Sequence, residues 1–289
     1  MTTAPDDPFV SHRSLLFTVA YEILGSAADA EDVVQESWLR WSGADRARVR
    51  DARAYLVRIV TRQSLNRLRT LARRREDYVG EWLPEPLLTT HDVAEDVVLA
   101  ESVSMAMLTV LETLGPTERA VFVLREVFDV PYDEIARAIG KPAATVRQIA
   151  RRARVHVAAR RPRVRVSSSE QQAVVERFLT ALRTGELREL LEVMAPDVVM
   201  VIDGGGFVPA ALSPVRGGRQ VAELLAKVNR VALGTAAVWL NGAPAGRIDF
   251  DGEPGAVSLE LADGKITRIY VVRNPRKLTR IDHPADLTR

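Results

Sequence analysis

The chain has 289 residues, 47% of them hydrophobic and 27% charged, enough for about two ordinary domains with normal cores, which excludes a disordered tail protein. No apolar run approaches the roughly 18 residues of a membrane helix. Met1 to Phe9 carries two acids and no apolar segment, so neither a membrane partner nor a signal peptide is expected, and the cytoplasm is the expected compartment. Cys is absent, which removes disulfides, thiolate metal sites and Cys nucleophiles, and no cofactor is expected.

A formal net charge of +2 hides a strong segregation. Residues 1–39 hold one basic and seven acidic residues, residues 40–75 twelve and two, residues 76–146 four and fourteen, and residues 147–167 eight and none. The remaining stretch, 168–289, holds fifteen of each. Two compact basic blocks separated by acidic ones fit two contacts with one polyanion.

Taken in chain order, Phe9 to Leu24 carries Leu15, Leu16, Val19 and Ile23 at helical spacing and stops at Gly25, a natural C′ residue. Ser26 can cap the next helix, whose first turns hold Asp29, Glu31 and Asp32, and which continues to Trp41. A third helix starts near Asp51 and runs past Leu56, Val60 and Leu65 into Arg73-Arg74-Arg75, with an Arg-rich outer face. Two prolines in Trp82-Leu83-Pro84-Glu85-Pro86 break regular structure, so 76–100 reads as a linker with a docking role open to it. Helical spacing returns at Val103 to Leu114, and Pro116 opens the following helix at its first position.

The next segment is the most informative. Tyr132 to Ile139 reads as a short helix with Ile135, Ala136 and Ile139 inward, and Gly140-Lys141-Pro142 turns the chain. Ala144 to Ala158 then makes a second helix, with Val146, Ile149, Ala150, Ala153 and Val157 inside and Arg147, Gln148, Arg151, Arg152 and Arg154 outside. That is the pattern of a helix-turn-helix whose second helix enters the major groove. The bland alternative is a helical hairpin with a solvated Arg face. After the basic, Ser-rich stretch 161–169, helices are expected at Val174 to Leu182, Leu187 to Met194 and Gly217 to Val231. Strands are expected at Val198 to Ile202, Ala237 to Leu240, Arg247 to Phe250, Val257 to Leu261 and Ile266 to Val272, with Asp263-Gly264 a hairpin turn. Helices followed by antiparallel strands give an α+β domain.

Asp29-Ala30-Glu31-Asp32-Val33-Val34-Gln35-Glu36-Ser37-Trp38 resembles the polymerase-binding helix, region 2.2, of bacterial sigma factors. Arg53-Ala54-Tyr55-Leu56 through Leu65-Asn66-Arg67-Leu68-Arg69 is similar to regions 2.3–2.4. Leu114-Gly115-Pro116-Thr117-Glu118-Arg119 and Thr145-Val146-Arg147 through Arg151-Arg152-Ala153-Arg154 are similar to region 4. The order of these blocks resembles the extracytoplasmic-function (ECF) group, and implies region 2 at 8–75, a linker at 76–100 and region 4 at 101–161.

The resemblance implies the partners: core RNA polymerase, through its beta and beta-prime subunits, and promoter DNA. Asp29, Asp32, Gln35 and Glu36 would dock on the beta-prime clamp, although acids in a first helical turn also serve the helix dipole. Arg46, Arg50, Tyr55, Arg58, Arg62, Asn66 and Arg69 would hold the −10 element and its opened strand, with Tyr55 either a stacking platform or a core residue. Arg147, Gln148, Arg151 and Arg152 would read the −35 element.

Most proteins of this class end near residue 165, so 168–289 is an appended domain, and its element order resembles the SnoaL-like cone, a curved sheet enclosing a pocket. Some relatives of that fold use a pocket Asp–His pair in acid–base chemistry. This domain has only His283, in a Pro-flanked tail, so no enzyme activity is expected. Trp82-Leu83-Pro84-Glu85-Pro86, Asp203-Gly204-Gly205-Gly206 and Asn274-Pro275-Arg276-Lys277-Leu278 resemble motifs of the sigma subgroup with this extension. That family usually has Arg after the triple Gly and Asp after Asn-Pro, where this chain has Phe207 and Arg276, so any ion pair between those positions is lost. Trp82, Pro84, Pro86, Asp203, Gly204, Gly205, Asn274 and Lys277 are the expected regulatory contacts, tying the appended domain to the linker. The triple Gly could equally be an ordinary strand-end turn.

The expectation is therefore an alternative sigma factor with two all-α domains and an α+β SnoaL-like domain acting in cis, with no separate anti-sigma factor required. The alternative is a stand-alone helix-turn-helix regulator that senses a small ligand in a C-terminal pocket; such a regulator has no use for the acidic helix at 29–41.

Overall fold

The computed structural model describes residues 7–161, 166–228 and 233–289, without the side chains of 72–76, 228 and 233. Outside the described residues lie most of the leader segment, four residues of the 161–169 connector and the expected helix end at 229–231. The side chains of Arg73, Arg74 and Arg75 lie outside them too. The chain divides into two compact units, one of 1–76, 107–161 and 286–289, the other of 77–106 and 162–285.

The first unit opens with α1 (Pro8–Ser11), α2 (Arg13–Leu24) and α3 (Ala27–Ser42). Gly25 ends α2 in the left-handed conformation at φ 70°, and the Ser26 hydroxyl accepts from the Asp29 N–H at 3.2 Å to start α3. Next comes α4 (Ala52–Glu76), where the Asp51 carboxylate takes the Ala54 N–H at 3.0 Å. α2 is buried almost all round, with Leu16, Val19, Ile23 and Leu24 fully covered, so it is the axis against which α3 and α4 pack.

Between these and the rest of the first unit come α5 (Asp92–Glu95), α6 (Val97–Val103) and α7 (Met105–Leu111). The division into units falls inside α7, after Ala106, so α5 and α6 belong to the second unit. α8 (Pro116–Phe122) starts with Pro116 in its first turn and continues into a short π-helical stretch, Val123–Val127. Then α9 (Tyr132–Ile139) ends at left-handed Gly140, and α10 (Ala143–Ala158) follows Pro142. The inner face of α10 is buried as expected at Val146, Ile149, Ala150, Ala153 and Val157. On α9 the buried pair is Ile135 and Ala138, three residues apart on one face. Ala136 and Ile139 flank that face and are only half covered, a correction to the expected inward set.

The second unit contains α11 (Ser168–Thr184), α12 (Leu187–Val193) and α13 (Gly218–Val228). Its sheet comprises β1 (Met194–Asp203), β2 (Val215–Arg216), β3 (Leu233–Leu240), β4 (Ala243–Phe250), β5 (Glu253–Ala262) and β6 (Lys265–Val272). The strand order is β2-β1-β6-β5-β4-β3. All neighbours are antiparallel except β1 and β6, which pair in parallel with Met200 opposite Ile269. The fully antiparallel expectation fails there because the chain leaves β1, builds the β3–β6 meander and returns beside β1 in the same direction.

The hairpins turn at Asn241-Gly242, Asp251-Gly252 and Asp263-Gly264, with both residues of each pair at positive φ. That is the two-residue geometry that suits the right-handed twist of the flanking strands. Strand alternation gives the sheet two apolar faces. One carries Val198, Met200, Ile248, Val257, Leu259 and Ile269 against Phe178, Leu190 and Val221 of the three helices. The other carries Val201, Leu240, Ala245, Tyr270 and Val272 against Leu83, Met105, Leu278 and Ile281. The segment read as a linker is therefore a layer of the second unit's core.

Candidate functional site

Within the first unit, the acidic helix α3 presents Asp32, Gln35 and Glu36 to solvent, and Leu39 on the next turn is 67% exposed. Asp29 is half-buried. Asp29 and Asp32 share one partner, Arg67 of α4, whose Nε donates to Asp29 at 2.7 Å and whose Nη2 pairs with Asp32. The Asp29 hydrogen bond, with the charge of both carboxylates, raises the Arg67 pKa above its ordinary value against the opposing effect of burial. Glu36 accepts from Gln63 at 2.7 Å. The four expected docking residues thus lie on one helix, and α4 holds three of them in place.

The expected −10 residues divide into two sets. Arg50, Asn66 and Arg69 are exposed, with Asn66 and Arg69 joined at 3.3 Å. Arg58 lies 5.0 Å over the half-buried Tyr55 ring, which itself packs 5.8 Å from the Trp41 ring, so Tyr55 is both wall of the core and floor of the basic face. Arg46 stacks 5.0 Å over Trp41 and pairs with Asp7 at 3.0 Å. Arg62 is turned to another partner, donating to the backbone carbonyls of Ala138 at 2.9 Å and Arg137 at 2.8 Å.

Asp7 is a buried hub. It accepts from the Phe9 N–H, the Trp41 indole at 2.9 Å and Arg46. Burial alone would raise its pKa, but those hydrogen bonds and the Arg46 charge together hold it below the ordinary 3.8.

On α10, Arg147, Gln148, Arg151 and Arg152 are all exposed on one side. Arg152 reaches Glu118 of α8 at 3.7 Å, and Arg147 lies 5.8 Å from the centre of the Tyr132 ring, which Arg125 also covers at 4.9 Å.

The second unit holds the most tightly built cluster. Asp203, the last residue of β1, falls by alternation on the same face as Val201 and is fully buried. One of its oxygens accepts from the Tyr78 hydroxyl at 2.5 Å; the other accepts from the Leu83 N–H at 2.9 Å and the Lys277 ammonium at 2.6 Å. Lys277, 6% exposed, also donates to the Leu83 carbonyl at 2.5 Å and lies 3.1 Å from the centre of the Trp82 ring. Two oxygens and an aromatic face thereby serve the three donors of the ammonium. Asn274 caps the short turn Pro275–Lys277 and donates to the Tyr78 hydroxyl at 2.8 Å. Burial, followed by the hydrogen bond and charge of Asp203, pushes the Tyr78 pKa well up, so the phenol stays a donor to the carboxylate.

The glycines make room for this clasp. Gly205 has φ +61°, and a Cβ there would lie 2.2 Å from the Asn274 amide nitrogen and 3.0 Å from the Tyr78 hydroxyl. Phe207 and Arg276, the two positions that depart from the family pattern, meet with the guanidinium 4.3 Å over the ring. A cation–π contact stands at the two positions where the family pattern has opposite charges. Pro84 and Pro86 are buried in the extended segment, beside Leu83 and Leu87.

A second anchor follows a few residues on. The buried Asn241 takes the Leu87 N–H at 3.1 Å and gives its amide to the Val103 carbonyl at 3.0 Å, while Thr89 N–H bonds Trp239 O at 3.0 Å. Sequence reasoning missed Tyr78, Arg67 and Asn241. Only Asn241 had a local signal: Asn-Gly between two apolar runs marks a hairpin, and a hairpin tip beside a strand edge can receive another segment.

Two family models match the chain: Sigma-70 region 2 over residues 9–74, and Sigma-70, region 4 over residues 104–157. The ECF RNA polymerase sigma factor SigJ of Mycobacterium tuberculosis is 38% identical over 94% of this chain and 92% of its own length. The crystal structure of SigJ superposes with a TM-score of 0.75 at 35% identity, over 93% of this chain and 96% of that one. The RNA polymerase sigma-E factor of Streptomyces coelicolor is 29% identical over 50% of this chain and 77% of its own. The chain belongs to the extracytoplasmic-function RNA polymerase sigma factors. It is a promoter-recognition initiation factor, and sigma factors do no catalysis of their own.

Replacing Lys277 with Met leaves Asp203 buried without its counter-charge and is expected to cost about 3–5 kcal/mol, measured as a fall in the chemical-unfolding free energy. Asp7 gives a pH-dependent prediction. A carboxyl whose folded pKa is lowered contributes stability that is present above its unfolded value of 3.8 and is lost as pH falls through the lowered folded value. The Tm difference between wild type and Asp7→Asn is accordingly largest at neutral pH and shrinks below about pH 4.

Proposed function

We propose that α3 docks on the beta-prime clamp of core polymerase through Asp32, Gln35 and Glu36, with Asp29 bracing Arg67 behind them. The basic face, Arg46, Arg50, Arg58, Arg62, Asn66 and Arg69 with Tyr55 as platform, holds the −10 element and its opened strand. Arg147, Gln148, Arg151 and Arg152 of α10 read the −35 element. This division assigns region 2 to 8–75 and region 4 to 101–161, joined by a linker that begins at 76.

The appended domain regulates in cis. The observation that carries this reading is the Asp203–Lys277–Tyr78–Leu83 clasp, which makes residues 77–106 part of one compact unit with the α+β domain. The linker is the covalent tie between the −10 and −35 readers, so an element that fixes its path restricts the promoters the two readers can span together. A separate anti-sigma factor is then not required, and the protein works in the cytoplasm with the polymerase. A non-catalytic role for the appended domain fits its chemistry: its one His, His283, is exposed in the tail. Among the described residues, no group of three or more His, Asp or Glu could hold a metal, and no helix is long and apolar enough to cross a membrane.

The docking claim is tested by binding of purified full-length protein to core polymerase. Asp32→Arg places a second cation beside Arg67 on the docking ridge and is expected to weaken binding at least tenfold, about 1.4 kcal/mol, with an unchanged thermal transition. Equal affinity of the two proteins would show that α3 is not the docking element.

A further inference from the structure

β3 forms one edge of the sheet, beyond β4. Protein sheets usually blunt such an edge with charged residues, proline or a bulge, because its unpaired backbone groups template another strand. β3 has none of these. Leu233-Gly234-Thr235-Ala236-Ala237-Val238-Trp239-Leu240 carries no charge and no proline. Its ladder with β4 runs from Leu233–Phe250 to Leu240–Ala243 without a shift, whereas the β1–β6 and β5–β6 ladders each contain one. Gly234, Ala236 and Ala237 are exposed.

The direction of the edge groups follows from one bond. Backbone groups of successive residues in an antiparallel strand point to opposite sides, and Trp239 O points outward, accepting from the Thr89 N–H at 3.0 Å. Ala237 and Thr235 therefore also turn their N–H and C=O outward, while Ala236 and Val238 serve β4. Residues 87–89 already extend the sheet at the far end of this edge, with Leu88 opposite Leu240 and the Asn241 N–H donating to Leu87 O at 2.9 Å. His91 then packs on the Trp239 ring and the chain turns into α5. Among the described residues, no hydrogen bond reaches the outward groups of Thr235 or Ala237.

We propose that this open stretch of β3 pairs with β3 of a second copy of the chain, antiparallel, about a two-fold axis at Ala236. The occupant is a copy because the edge is complementary to itself. With Ala236 opposite its symmetry mate, the Thr235 N–H donates to Ala237 O of the second copy and the Ala237 N–H of that copy donates to Thr235 O, and the axis repeats the exchange. Small side chains at 234, 236 and 237 let the copy approach, and no charge on the strand opposes it. A foreign strand would be selected through side-chain pockets beside the edge, and these small residues shape none. A contact of a few edge residues falls below the roughly 1,200 Å² that stable interfaces bury, so the dimer is weak and concentration-dependent.

Sedimentation velocity on the full-length protein tests this. The weight-average mass of wild type is expected to rise with concentration toward a dimer. Ala236→Lys sets like charges face to face on the axis and should suppress that rise. Ala237→Pro removes an N–H that β4 does not use, and should weaken association roughly tenfold at an unchanged thermal transition. Ala236→Lys carries the test if the proline lowers that transition. The chain has no Cys, so Ala236→Cys reads the geometry directly. Non-hydrogen-bonded antiparallel partners lie roughly 4.5 Å apart at Cα, within disulfide range. Mild oxidation should therefore cross-link Ala236→Cys rapidly, and Gln172→Cys, exposed on α11, slowly. Three results would each overturn the proposal: wild type that stays monomeric at every concentration, association that survives both edge variants, or cross-linking of Ala236→Cys no faster than that of Gln172→Cys.

Discussion

A carboxylate taken wholly out of water at the end of β1 constrains everything around it. A carboxylate buried there needs donors, and Asp203 finds three of them in two separate stretches of chain: Tyr78 and Leu83 from the linker and Lys277 from the turn after β6. Charge burial is favourable only when every partner is in place. The linker path, the triple-glycine turn and the Asn274 turn are thus different parts of one solution. Glycine at 205 is required because Tyr78 and Asn274 meet there. The apolar layer formed by Leu83, Met105, Leu278 and Ile281 then covers a sheet face that would otherwise be exposed to water.

The first unit solves a related problem with surface charge. An acidic ridge and basic faces on adjacent helices attract each other as readily as they attract polymerase and DNA. Arg67 sits between two acids of α3, Arg46 is paired to Asp7 and Arg62 caps a neighbouring helix. These pairings are partly exposed, where ion pairs are weak, so larger partners offering many charges at once can displace them. The residues left facing solvent, Gln35, Arg50, Arg69 and the outer side of α10, are those with the least internal competition.

What could be read from the sequence was what local chemistry decides. Gly25 with Ser26, Pro116 and Gly140 punctuated the helices because each acts within its own turn. The buried face of α10 followed from its 3.6-residue spacing, and strands were expected where β1 and β3 to β6 lie, while the two-residue β2 was not. The three clasp motifs were legible only through the family resemblance. Tyr78, 125 residues from its partner Asp203, left no trace in any local pattern. The parallel pairing of β1 and β6 was hidden for the same reason, since it depends on where the chain returns. Arg62 shows another limit: an arginine on the outer face of an amphipathic helix reads alike whether it meets DNA or a helix end.

The central claim is that the appended domain acts by fixing the linker between the two promoter-reading regions. Run-off transcription from one promoter, with the −10 to −35 spacing varied a base pair at a time, tests it most directly when wild type is compared with a folded variant of the clasp, Tyr78→Phe combined with Gly205→Ser. The account predicts a sharp optimum for wild type and a broader or displaced one for the variant, at similar core affinity. Superimposable spacing profiles would mean that the clasp merely packs the domain and that promoter selection is set elsewhere.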